Sequence, residues 1–195
     1  MGVITIKGHH GTDIDSCKAI LKSNYKISEG DQHWLGEGVY FFIEGLSTDT
    51  INLAEKWAKA QSWNNRTKSR EYKEYAVIES IIEVDEENFL DLTTKEGVKI
   101  LFYFAELFIE EIKKEIAKGQ KGLKFLDGFL INLMRGENVL PPTDVIKGNF
   151  YIKFEQERKN KINFRTNNCT ICAVYNPEKN IVQKNTKIVE KGKIL

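Results

Sequence analysis

Apolar and polar positions along the chain fall into short alternating runs and longer runs with helical spacing. Residues 3–6 alternate as a short strand, and Lys7-Gly8-His9-His10-Gly11-Thr12 follows as a tight loop. Asp13 or Asp15 can cap a helix over 16–23 that turns Cys17, Ile20 and Leu21 inward. A polar loop at 28–33 leads through Gly36-Glu37-Gly38 into Val39-Tyr40-Phe41-Phe42, a β-branched and aromatic strand. Asp49 can cap a helix over 50–63 with Leu53, Ala54, Trp57 and Ala60 along its length. The polar, basic stretch 63–74 predicts an exposed loop, and 75–84 a central strand. Residues 97–118 hold the longest helical pattern, 123–134 a second, and Pro141-Pro142 closes this block. Strand-like runs return at 149–155, 170–175 and 181–188, and the Lys-rich tail 184–193 reads as a solvated edge. This order predicts an α+β fold rather than alternating βαβ units.

The length of 195 residues suits one domain over 1–195. Charge changes the picture by exclusion. With 29 basic against 28 acidic residues and a net charge of +1, bulk electrostatics does not tie the chain to nucleic acid or an anionic membrane. Three cysteines (Cys17, Cys169 and Cys172) are too few and too scattered for a disulfide framework. No apolar run reaches the roughly 18 residues a membrane span needs, and the N-terminus lacks a signal-peptide pattern, so a cytoplasmic setting is expected. Cys169-x-x-Cys172 lacks the second ligand pair of a zinc site and sits in a strand, so buried strand cysteines and no metal are expected.

Two clusters carry candidate chemistry. In His10-Gly11-Thr12, a histidine ring can bond a ribose hydroxyl, and Gly11 lets a ligand approach the backbone. An isolated H-G-T is more often the mark of a turn with a surface histidine. In Gly36-Glu37-Gly38-Val39-Tyr40-Phe41, Tyr40 can stack on a planar cationic heterocycle, although a hairpin with a core tyrosine has the same pattern. Gly36-x-Gly38 is not a dinucleotide fingerprint, since it lacks the third glycine and the βαβ setting. Arg66, Lys68, Arg70 and Lys73, with Trp63 and Tyr72 among them, form either a solvated loop or a grip for single-stranded nucleic acid.

Taken together, in this order and about 30 residues apart, the clusters resemble the ADP-ribosyltransferase superfamily of the poly(ADP-ribose) polymerase and diphtheria-toxin type, known for its His–Tyr–Glu triad. The resemblance covers 3–60, with Ala54, Trp57 and Ala58 placed like the helix after the family's tyrosine strand. It implies a split antiparallel β-sandwich with NAD as substrate in the cleft, in which the helical block at about 93–142 is an insertion. His10 would bind a ribose hydroxyl, Gly11 the nicotinamide amide, and Tyr40 the pyridinium face; Thr12 and Gly38 complete the NAD-binding set. His9 stands where the family has an aromatic residue. The family's glutamate opens a late strand, and the matching segment Asn167–Tyr175 has no carboxylate. Asn168 or Thr170 can fill the position, with Glu157 or Glu155 as upstream alternatives. The resemblance therefore implies a mono-ADP-ribosyltransferase acting on RNA, DNA or protein, similar to bacterial toxin-module or phage-defence enzymes, with an antitoxin protein as an expected partner. Its alternatives are an NAD-binding module without catalysis and an NAD-dependent RNA 2′-phosphotransferase.

Overall fold

Unbroken pairing makes the first strand, β1 (Val3–Asp13), longer than its apolar pattern suggests. The computed structural model describes residues 2–30, 33–117, 126–137 and 142–194. In it β1 lies antiparallel to β5 (Glu74–Asp85), in register from Val3–Asp85 to Asp13–Tyr75. The loop expected at Lys7–Thr12 is therefore strand, because a long partner satisfies every backbone group in turn. Asp13 ends the strand and caps α1 (Ile14–Lys22), accepting from the Asp15 and Ser16 amides.

The chain continues through β2 (Val39–Ile43) and α2 (Thr50–Gln61), and then the short hairpin of β3 (Trp63–Asn64) and β4 (Ser69–Arg70). After β5 come β6 (Phe89–Asp91), α3 (Lys95–Leu107), α4 (Ile109–Ala117) and α5 (Leu126–Gly136). The final third holds β7 (Val145–Phe150), α6 (Glu155–Lys159), β8 (Cys169–Val174), α7 (Pro177–Asn180) and β9 (Lys187–Lys193). The fold is α+β, with seven strands of the described residues in one mixed sheet ordered β6-β7-β8-β2-β1-β5-β9.

Several expectations change here. The sheet is not wholly antiparallel: β6 and β7 are parallel, as a crossover through three helices permits. The strand expected at 149–155 lies earlier, and 155–159 is a helical turn. The tail at 187–193 is itself an edge strand against β5, with lysines that keep the edge in water. The long helix bends at Phe108, and residues 118–125 and 138–141 of the expected helical block lie outside the described residues.

Side chains alternate across the sheet and build a core on each face. On one face α2 brings Leu53, Ala54 and Ala58 against Phe42, Val77, Ile171 and Ala173. On the other, α1 brings Cys17 and Ile20 against Phe41, Ile43, Ile78 and Val174. Cys169 belongs to the α2-side core and Cys172 to the α1-side core, so the CxxC pair straddles the sheet and cannot share a metal or a disulfide. Burial pushes both thiols up to about 12.

Candidate functional site around His10 and Tyr40

β1 and β2 pair directly only at Gly8–Ile43 and His9–Phe42. One residue on, the His10 ring takes the place of a backbone amide, with Nδ1 2.8 Å from the Tyr40 carbonyl oxygen. A carbonyl can only accept, so Nδ1 holds the proton and Nε2 is a lone-pair acceptor. The ring packs against Tyr25 and Phe41, at 5.3 and 5.8 Å between centroids. Burial lowers the imidazole pKa below its ordinary value, outweighing the Tyr40 carbonyl, which acts the other way. His10 is thus a neutral ring with a defined tautomer.

Tyr40 points to the opposite face. Its hydroxyl accepts from the Leu35 amide at 2.8 Å and donates to the Gly36 carbonyl. Burial raises its phenol pKa. The His33 ring lies tilted against it, 5.9 Å between centroids. The Gly36 turn, at φ +73°, is fixed further by α5, where the Asn132 side chain accepts the Glu37 amide at 2.7 Å. Tyr175 donates to the Leu35 carbonyl at 2.7 Å, and Gly38 packs on its ring. A ligand that touches both His10 and Tyr40 must therefore pass around the end of the β1–β2 pair, rather than lie between two side chains on one face.

Gly11 has a different use from the expected one. A Cβ there would stand 1.9 Å from the Ala54 carbonyl oxygen, so its small size admits α2 rather than opening the backbone to a ligand. Thr12 is half-buried, with its hydroxyl 3.4 Å from Asp13.

The strand matched to the third triad position, β8, does border β2. Its candidates, however, are engaged. Thr170 is 1% exposed, donates to Asn149 at 2.7 Å and accepts from the Leu46 amide at 2.9 Å. The Asn168 amide bonds both backbone groups of Ile152 at 2.9 Å. Glu157 is half-buried on α6, which reaches α2 through Arg158, its guanidinium 5.8 Å from the Trp57 ring. Glu155 pairs with Lys159 at 2.8 Å and Arg70 at 3.6 Å. Arg70 also bonds Ser62, so one cation of the basic loop is structural, while Trp63 beside it is 45% exposed. A cleft of about 500 Å3 among Lys7, Glu44, Phe89 and Lys147 includes neither His10 nor Tyr40.

No family model matches the chain, and no solved structure does. An uncharacterized protein of Methanocaldococcus jannaschii is 29% identical over 202 residues, which take in 98% of this chain and 87% of that one. No helix among the described residues is long and apolar enough to cross a membrane.

The sequence pattern passes over His9, which is 5% exposed. Its Nδ1 lies 2.8 Å from the Thr50 hydroxyl and its Nε2 3.3 Å from Glu79. Glu79 meets Lys187 at 3.1 Å. Burial lowers the His9 pKa, with Glu79 opposing. The partners are 41 and 70 residues away, so no local motif could reveal them.

Proposed function

We propose that the protein transfers single ADP-ribose units from NAD to a macromolecule, nucleic acid or protein, and releases nicotinamide. The observation that carries this reading is the bond from His10 Nδ1–H to the Tyr40 carbonyl. It joins the two motif clusters in space and leaves Nε2 as an acceptor where a ribose hydroxyl could donate. The NAD-binding set would be His10, Thr12, Gly38 and Tyr40, with Gly11 supporting it through α2. Nicotinamide would take the position His33 holds over Tyr40. The bond from C1′ to the nicotinamide nitrogen breaks as the acceptor's lone pair forms a new bond to C1′, so orientation and charge stabilisation dominate. Among third-position candidates, the Glu157 carboxylate has no hydrogen bond or ion pair among the described residues, whereas Thr170 and Asn168 must release bonds that hold loops. By the same resemblance, the setting would be a cytoplasmic growth-limiting or antiviral enzyme with an antitoxin partner.

The engagement of Thr170 and Asn168 favours one other reading, a module that binds NAD or ADP-ribose without catalysis. Isotopic NAD, incubated with the purified protein and lysate and then split between protease and nuclease digestion, separates the two. Loss of label on digestion names the acceptor class. Binding by calorimetry with no macromolecular label supports the module. Tyr40→Ala should weaken NAD binding about 10- to 100-fold through loss of the stacking face, while Tyr40→Phe should keep most of it. Absence of NAD binding by the wild-type protein would sink both readings.

A further inference from the structure

Helix α3 shows water an apolar surface that the proposed chemistry does not use. Its inner stripe, Gly97, Leu101, Phe104 and Ala105, turns toward Leu130 and Met134 of α5 or toward β6. Its outer stripe leaves Phe102 64%, Tyr103 63%, Leu107 54% and Val98 40% exposed. These four side chains present roughly 400 Å2 of mostly apolar surface, in the range where a patch on a soluble protein is commonly an interaction site.

The polar residues on the same stripe are ordered. Lys95 and Lys99 stand before the aromatic pair, and Glu106 and, one turn into α4, Glu110 stand after it, all exposed. The spacing is symmetric about the midpoint of Phe102 and Tyr103: Lys99 and Glu106 are equally far from it, as are Lys95 and Glu110. Helical hydrogen bonds cross the bend, from the Phe108 amide to Phe104 and from the Ile112 amide to Phe108, so Glu110 continues the stripe. Glu110 also pairs with Lys113, 2.8 Å away.

We infer that α3 is the contact of a two-fold homodimer in which the helices of two copies run antiparallel. A two-fold axis through the midpoint brings Phe102 against Phe102 and Tyr103 against Tyr103. It sets Lys99 of each copy opposite Glu106 of the other, and Lys95 opposite Glu110. A parallel arrangement would place lysine on lysine and glutamate on glutamate. Isologous contacts of this kind are the commonest in soluble oligomers. The apolar area also fits, since a stable interface buries about 800 Å2 per partner, of which somewhat over half is apolar.

The test is sedimentation equilibrium of the full chain at micromolar concentration. The wild type should be a dimer, and Phe102→Glu should shift it to monomer with unchanged circular dichroism. Lys99→Glu alone and Glu106→Lys alone should each weaken the dimer at least tenfold. The double variant Lys99→Glu/Glu106→Lys should restore it, yet fail to pair with wild type, because mixed pairs face like charges. A monomeric wild type overturns the inference, including one that instead binds phosphatidylcholine vesicles or another protein. So does a dimer that survives Phe102→Glu, or a double variant no better than the single ones.

Discussion

His9 and His10 are neighbours on one strand, but they face opposite sides of the sheet and are held differently. On the α2 face, Glu79 can only accept, so His9 donates from Nε2 and accepts the Thr50 hydroxyl at Nδ1, and both nitrogens are engaged. On the α1 face, His10 has the other tautomer, with Nδ1 on the Tyr40 carbonyl and Nε2 directed to no bonding partner among the described residues. A ring with both nitrogens engaged belongs to the scaffold. A neutral ring with one fixed and one spare nitrogen has the form of a ligand contact. The contrast divides the two neighbours into a histidine that holds α2 in place and a histidine that keeps one nitrogen for a ligand.

The sharpest way to break this division is to disturb the α2 face at its tightest point. Gly11→Ala would set a Cβ 1.9 Å from the Ala54 carbonyl, so helix and strand must part. The expected loss is about 3 kcal/mol or more, read from the urea midpoint at unchanged slope. A loss below about 1 kcal/mol would mean that α2 is free to shift, and Gly11 would return as a candidate ligand contact.

Next in size is the pair of histidine variants. His9→Ala leaves the buried Thr50 hydroxyl without its partner and removes one bond from Glu79, which keeps Lys187, and together with the lost packing should cost about 2–3 kcal/mol. His10→Ala leaves one carbonyl at the mouth of the strand split and should cost about 1 kcal/mol, while removing transfer activity. Urea melts together with the labelled-NAD assay check both arms. Equal destabilisation by the two would end the distinction between scaffold and site.

The strands that bear on this contrast were legible to different degrees. Val39-Tyr40-Phe41-Phe42 and 75–84 stand out because β-branched and aromatic residues bounded by turn residues have few alternatives. Lys7–Thr12 reads as a loop, since two glycines and two histidines carry no apolar alternation; only the pairing with β5 makes it strand. His10 and Tyr40 are legible because local motifs surround them. The engagement of Thr170 is not: its partners Asn149 and Leu46 lie 21 and 124 residues away in the chain. The hold of α5 on the Gly36 turn is equally remote, 95 residues from Asn132 to Glu37. A helical block that the resemblance makes an insertion thus supports the turn over Tyr40.

The smallest effect is the dependence of stability on pH, and it tests both faces at once. Burial lowers the folded-state pKa of His9 and of His10 below the ordinary value of about 6.5, which the unfolded chain keeps. Between the folded and unfolded values the unfolded chain holds more protons, so stability rises with pH across that window. It should be complete above about pH 6.5 and fall as the solution is acidified toward pH 5. Glu79 and Asp91 have lowered pKa values, because bonds to lysines and other partners outweigh their burial, and they add their own loss only below about pH 4.5. Urea midpoints at pH 7, 6 and 5 isolate the histidine window. His10→Gln should remove part of the slope there with little change in stability at pH 7. His9→Gln should remove another part from a lower starting point, and the double variant should be nearly flat. If the double variant keeps the wild-type slope between pH 7 and 5, neither ring is held neutral by the fold. His10 would then no longer qualify as the neutral acceptor that the proposed ribose contact requires.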